Sequence, residues 1–293
     1  MNLVFLGMGK MGLPLARHLQ AAGYALSVHD PDIHRLRLAR DVGLRVSENL
    51  AADLKHASMV LSSLPHDEAL RAVGRQVCEG TPAGVALVDT STVSMQASAE
   101  VGQLCADTNH PYLRITVSGN NHMAEAAQLT MMASGPQATY QEALPLLKCW
   151  GPNQFYLGDD EQARLMKLVV NLMIVQTSAM LSEALALGRK GGLDWESMWQ
   201  VIAASAVASP IVKAKSLQLG QALLVRDFTP TFTVHQMLKD LELILGAGKS
   251  LHVPLAQTAM TQQWMQSAIA QGDGQQDYAT IIKVLERASG LNP

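Results

Sequence analysis

Two groups of residues have types and spacings suited to chemistry. Lys167 and Asn171 lie four positions apart in a stretch, residues 165–174, whose other members are apolar. In a helix that spacing puts both on one face, one turn apart. A lysine among Leu165, Met166, Leu168, Val169 and Val170 is expected to lose water, and burial lowers a lysine pKa because it disfavours the charged form. An amine tuned in this way exchanges protons near neutral pH, as a general acid–base must. By itself the pattern fits equally a lysine that carries its charge out to solvent from the start of a helix.

The second group is Gly7-Met8-Gly9-Lys10-Met11-Gly12. It follows the apolar run Leu3-Val4-Phe5-Leu6 and precedes a helical stretch, a second apolar run and Asp30 at that run's end. Strand, glycine-rich turn, helix, strand and acid in this order form a dinucleotide-binding fingerprint. The first glycine permits a tight turn, the second lets a pyrophosphate approach the backbone, and the third lets helix and strand pack closely. Free N–H groups and the positive end of the helix dipole then face the anion. Asp30 can accept hydrogen bonds from ribose hydroxyls, and its charge would repel the extra phosphate of NADP. NAD is therefore the expected cofactor, with NADP left open by Arg35 and Arg37 close behind.

Other candidates are weaker. Ser118-Gly119-Asn120-Asn121 follows an apolar run and offers hydroxyl, amide and backbone donors that suit a carboxylate, or simply a polar turn. Lys239-Asp240 reads, on spacing alone, as an exposed helix charge pair. The nine histidines include no H-x-x-x-H or H-E-x-x-H arrangement, so no metal is expected. Without a G-x-S-x-G elbow or a P-loop, hydrolase and NTPase readings lack their usual anchors.

The elements that must position these residues follow from pattern. Apolar runs at 59–64, 85–88, 112–117 and 129–133 end in Pro65, Asp89-Thr90-Ser91-Thr92, Ser118-Gly119 and Ser134-Gly135, and helical patterns separate them. This alternation predicts an α/β fold with a mostly parallel sheet, whose ligands gather at the carboxyl ends of the strands. From residue 161 the pattern becomes helical, over 161–190, 195–204, 234–249 and 254–271. Breaks fall at Gly191-Gly192, Ser209-Pro210, Thr229-Pro230 and Gly272-Asp273-Gly274. We expect a nucleotide-binding domain over 1–160 and an all-helical domain over 161–293. Its first helix, apolar all round, is expected to be buried in the core and to pack against a partner subunit.

Composition narrows the class. A length of 293 residues favours two domains, and a net charge of −3 gives no case for nucleic acid or an anionic membrane. Lys167, Asn171, Gln176 and Glu183 interrupt the most apolar stretch, which argues against a membrane span. Cys78, Cys105 and Cys149 are odd in number and far apart in sequence, so neither a disulfide framework nor a zinc site is expected, and a reducing cytoplasm fits. Lys10 and three glycines break the apolar N-terminus, which reads as a first strand rather than a signal peptide.

Taken in order, these segments resemble the β-hydroxyacid dehydrogenase family, which includes 3-hydroxyisobutyrate dehydrogenase and tartronate semialdehyde reductase. Residues 6–19 match its opening motif, Ser63-Leu64-Pro65 and Asp89-Thr90-Ser91-Thr92 its cofactor-side loops, and Val117-Ser118-Gly119 the core of its substrate-binding segment. Lys167 with Asn171 matches its catalytic lysine and helper asparagine, and Lys239-Asp240-Leu241 its late helix motif. The resemblance implies a Rossmann domain, a C-terminal helical domain like that of 6-phosphogluconate dehydrogenases, and an active site in the cleft between them. It implies reversible NAD(P)-dependent oxidation of a short β-hydroxyacid to its semialdehyde or keto form, with Lys167 moving the hydroxyl proton and Asn171 assisting. Ser118, Gly119 and Asn120 would bind the substrate carboxylate. Leu64, Pro65 and Thr92 would join the glycine-rich segment and Asp30 on the cofactor, and Lys239 would line the cleft beside substrate and nicotinamide. A homo-oligomer, dimer or tetramer, is also implied.

Departures from the family pattern fall in the substrate-binding segment and at Ala127-Gln128, where the family usually has Gly-Thr before Leu129. Where the family usually reads Asp-x-Pro-Val-Ser-Gly-Gly, this chain has Arg114-Ile115-Thr116-Val117-Ser118-Gly119-Asn120, which suggests a reshaped substrate pocket. The family's NADP users tend to carry Asn-Arg-Thr at this point, where this chain has His29-Asp30-Pro31. Two other readings compete. An imine reductase would usually lack a lysine at position 167, and a non-catalytic dinucleotide-binding regulatory module would have no need of one.

Overall fold

The computed structural model describes residues 1–212 and 227–292. Packing divides the chain into two units, Met1–Lys167 and Leu168–Pro293.

In the first unit, β1 (Asn2–Leu6) leads through α1 (Gly12–Ala21) to β2 (Ala25–His29). Next, α2 (Ile33–Asp41) and α3 (Leu50–Lys55) carry the chain to β3 (Met59–Ser62). α4 (Asp67–Gly80), β4 (Ala86–Asp89), α5 (Met95–Asp107) and β5 (Tyr112–Ser118) follow, then α6 (Asn121–Glu125), β6 (Thr130–Ser134), α7 (Gln137–Lys148) and β7 (Asn153–Tyr156). The strands form one seven-stranded sheet in the order β2-β1-β3-β4-β5-β6-β7. Both faces are covered, as the near-continuous apolar runs require. Phe5, Leu61, Val88, Leu113 and Ile115 enter one core, while their strand neighbours Leu6, Val60, Leu87 and Tyr112 enter the other.

The one antiparallel pair is β5 with β6. Residues 119–129 connect these strands, and a parallel crossover needs a dozen or more. The register has a positional consequence. Leu6 pairs with Ser62, Ser62 with Asp89, Asp89 with Arg114 and Arg114 with Ser134, so these residues share one level at the carboxyl edge. Beyond Arg114, β5 continues through Ser118 with only β6 as partner, an overhang of about 13 Å at about 3.3 Å per residue. The Ser118 loop therefore stands well past the loops that end the shorter strands.

Two cysteines distant in sequence are neighbours here, with Cys78 Sγ on α4 3.7 Å from Cys105 Sγ on α5. Both thiols are free, and burial raises the pKa of Cys105.

The second unit is helical among its described residues, as the pattern predicts. It contains most of α8 (Gln162–Lys190), then α9 (Trp195–Ala204), α10 (Val234–Ser250), α11 (Ala256–Ala270), a 3-10 turn (Tyr278–Thr280) and α12 (Ile281–Ala288). α8 ends at Gly191-Gly192, where Gly192 takes φ +84°. Val175 and Ala179 of α8 pack with Val234, Met237, Leu241, Met265 and Ile281, and Leu181 and Leu185 pack with Met198 and Ile282. The expected burial of α8 in the core holds for one face of the helix, while Met173, Met180 and Leu187 on the other are 64%, 54% and 76% exposed. Apolar composition on every side concealed a helix buried on one face.

Candidate active site

At the carboxyl edge of β1 the three fingerprint glycines meet different surroundings. Gly7 has φ +98°, and a Cβ there would lie 2.3 Å from the Ser63 carbonyl oxygen; at Gly12 it would lie 1.9 Å from the Gly7 oxygen. At Gly9 it would meet only the Arg35 guanidinium, at 3.3 Å. The N-terminus of α1 has no side-chain cap and no acidic residue in its first turn, which leaves its N–H groups and dipole available to an anion. A tight turn, an open middle glycine and an uncapped helix start fit a dinucleotide pyrophosphate. Met8 is buried, Met11 half-buried and Lys10 exposed.

Asp30 is 3% exposed. Its Oδ2 accepts from Met8 N at 2.7 Å and its Oδ1 from Asp32 N at 2.8 Å. The carboxylate thus braces the glycine-rich turn from within. On the neighbouring strand, Leu64 N donates to Ser91 Oγ at 2.8 Å, which ties two predicted cofactor loops together; Pro65 is exposed and Thr92 half-buried.

Behind those loops lies a buried charge network that sequence reasoning missed. Asp89, fully buried, accepts from Ser62 Oγ and Ser91 Oγ at 2.6 Å each. It also pairs with Arg164, from the first turn of α8, whose guanidinium donates to the Ser91 carbonyl and to Tyr112 Oη. Beside it, Arg114 Nε donates to Glu161 Oε1 at 2.5 Å, and the guanidinium stacks 4.6 Å from the Tyr112 ring centre. Burial raises the Glu161 pKa against the opposing pull of Arg114, and burial pushes the Tyr112 hydroxyl up to about 12. A signal was present in the sequence: Glu161 and Arg164 are charges three apart at the head of an otherwise apolar stretch, one turn before Lys167.

That network seats the helix that carries Lys167. Thr116 Oγ1 donates to the Ala163 carbonyl at 2.9 Å, and Ala163 N donates to Ser134 Oγ at 3.0 Å. One turn further, Lys167 Nζ donates to the Val117 carbonyl at 2.8 Å, and the lysine is half-buried. Its ammonium is thereby held at the base of the Ser118-Gly119 loop. Gly119 has φ +143°, and a Cβ there would lie 2.5 Å from Leu129 Cδ2. Asn120 caps α6 by accepting from Met123 N at 3.0 Å. The residues of β5 divide by strand alternation: Ile115 and Val117 enter one core, whereas the two substituted residues, Arg114 and Thr116, turn to the other face and bond to Glu161 and Ala163 at the head of α8. Arg114 and Thr116 thus anchor the head of α8, while Asn120, the third departure from the family pattern, caps α6.

In the second unit, Asn171 Nδ2 donates to Asp240 Oδ2 at 2.5 Å, and Lys239 Nζ lies 3.2 Å from Asp240 Oδ1. The Lys239 side chain is 39% exposed and that of Asp240 2%. The exposed charge pair suggested by spacing is instead a buried carboxylate that binds both predicted site residues.

Two family models together account for nearly all of the sequence. The NAD binding domain of 6-phosphogluconate dehydrogenase matches residues 2–158, and a domain described as NAD-binding of NADP-dependent 3-hydroxyisobutyrate dehydrogenase matches residues 162–285. The chain belongs to the β-hydroxyacid dehydrogenase family. Within the family, a 2-(hydroxymethyl)glutarate dehydrogenase of Eubacterium barkeri is 32% identical over 98% of this chain and 96% of its own length. Glyoxylate/succinic semialdehyde reductase 1 of Arabidopsis thaliana is 26% identical over 98% and 99%. The structure of Mycobacterium tuberculosis 3-hydroxyisobutyrate dehydrogenase with L-serine superposes with a TM-score of 0.89, at 24% identity over 97% and 98% of the two chains, and shows the shared fold. As a β-hydroxyacid dehydrogenase the protein is an NAD(P)-dependent oxidoreductase, and its first unit is the nucleotide-binding Rossmann domain.

Proposed function

We propose that the protein interconverts a short β-hydroxyacid and the corresponding semialdehyde or keto acid, with Lys167 as general acid and base. The observation that carries this reading is the bond from Lys167 Nζ to the Val117 carbonyl, which holds an amine beside the loop suited to a carboxylate. The glycine-rich segment Gly7–Gly12 would hold the pyrophosphate of a nicotinamide cofactor, whose chemistry would be hydride transfer to or from the substrate carbon. In reduction the Lys167 ammonium gives its proton to the substrate's carbonyl oxygen; in oxidation the neutral amine takes the hydroxyl proton. The Ser118 hydroxyl and the Gly119 backbone N–H bind the carboxylate, and the left-handed backbone at Gly119 aims that N–H. Asp240 holds Asn171 and Lys239, the residues that the family pattern assigns to assist Lys167 and to line the site.

The names of the relatives frame a substrate screen: 2-(hydroxymethyl)glutarate, succinic semialdehyde, glyoxylate and 3-hydroxyisobutyrate, each with NAD and NADP in the appropriate redox state. We expect turnover that falls about a thousandfold or more in Lys167→Ala, an upper-middle value for loss of a general acid–base, while cofactor binding persists. Cofactor binding without turnover on any small hydroxyacid or its oxidised form would instead favour a regulatory module.

We also propose that copies of this chain associate through the open face of α8, where Met173, Met180 and Leu187 recur at seven-residue spacing and stand exposed. Free cysteines suit a reducing compartment such as the cytoplasm.

A further inference from the structure

The fingerprint acid is poorly placed to read a ribose. Both Asp30 carboxylate oxygens already accept backbone hydrogen bonds, and the side chain is 3% exposed. Two residues later, Asp32 is 47% exposed, and it caps α2 by accepting from His34 N at 2.8 Å. One turn along α2, Arg35 is 44% exposed; its Nε lies 3.7 Å from Asp32 Oδ2 and its Nη1 3.6 Å from Asp30 Oδ2. The same guanidinium lies over Gly9, at 3.3 Å from where a side chain would begin. An exposed carboxylate and an exposed guanidinium thus stand together at the end of β2, where the adenosine ribose of a Rossmann-bound dinucleotide is read.

We propose that Asp32 and Arg35, rather than Asp30, read the ribose 2′ position, and that Asp32 makes the site select NAD over NADP. This rests on the NAD(P) dependence of the family and deepens it. A 2′-phosphate would need Arg35 as its counter-ion, but Arg35 lies between two carboxylates, so the three side chains carry a net charge of −1. Drawing Arg35 onto a phosphate would break its contact with Asp32 and leave that carboxylate facing a dianion. With a 2′-hydroxyl the Asp32–Arg35 pair stays intact, and the Asp32 carboxylate can accept from the hydroxyl. Asp30 serves the turn itself, through Met8 N and Asp32 N, and supports either nucleotide equally.

The test is equilibrium binding, read by the fluorescence of NADH and NADPH and by calorimetry with 2′,5′-ADP and 5′-ADP, with no substrate present. The wild-type protein is expected to bind NADH more tightly than NADPH. Asp32→Asn keeps a good helix cap and should shift the NADPH/NADH affinity ratio at least about tenfold toward NADPH, the scale of one removed like charge near a surface. Adding Arg35→Gln should abolish that gain. Asp30→Asn should weaken both nucleotides in proportion and leave the ratio near its wild-type value. Tighter wild-type binding of NADPH would overturn the proposal, as would a ratio moved by Asp30→Asn but not by Asp32→Asn. Failure to bind any of the four nucleotides would instead contradict the cofactor dependence itself.

Discussion

Gly7, Gly9 and Gly12 belong to one motif but answer to different neighbours. A methyl at Gly7 or Gly12 would drive into backbone atoms that have no freedom to withdraw, and Gly7 adds a left-handed φ. Gly9 is bounded only by the tip of a half-exposed arginine. We therefore expect Gly9→Ala to unfold at a denaturant midpoint close to wild type and yet to bind dinucleotide at least about tenfold more weakly, since a close backbone approach is lost. Gly7→Ala should lower the midpoint itself, by strain and by clash. Equal midpoints for the two variants would refute this assignment. The glycines were legible because a strand, turn and helix around them demand a particular backbone. The side-chain roles of Asp30 and Asp32 were not, since both are acids at the end of the same strand and only burial separates them.

The first turn of α8 is an element fastened to the sheet at several points. Arg164 reaches Asp89, Glu161 reaches Arg114, and the backbone at Ala163 is bonded on both sides. Removing one partner of a buried pair strands the other charge, which typically destabilises by about 3–5 kcal/mol. Arg164→Leu should lower unfolding stability by about that amount, and adding Asp89→Asn should restore part of it because no isolated carboxylate is left. Denaturant titrations of the two variants check this; a single-variant loss under about 1 kcal/mol would mean that water reaches Asp89. Sequence pattern located α8 to within a residue at its start. It did not show why Arg114 and Thr116 stand in β5, because their purpose depends on a helix head some 45 to 50 residues later along the chain.

At the scale of the molecule, the alternation of strands and helices followed by helices alone was readable from periodicity, and the resemblance to known dehydrogenases agreed with it. The exposure of one face of α8 was not readable, for methionine, leucine and valine occupy buried and open positions alike. In the self-association proposed above, a second copy would give that face an apolar partner. Met180→Glu combined with Leu187→Glu should lower the mass seen in sedimentation equilibrium while the circular dichroism spectrum is kept; an unchanged mass would rule out this face as the contact.

The seat of α8 also decides where the chain can be divided. A fragment ending at residue 160 would retain Asp89 and Arg114 in the interior but discard their buried partners Arg164 and Glu161, leaving Arg114 the exposed Asp160 at 3.8 Å. One ending just after Lys167 keeps both pairs, together with the bonds at Ala163 and Val117. The nucleotide-binding unit is thus closed in charge only when its last seven residues, Glu161 through Lys167, carry it past the sheet and into the head of α8.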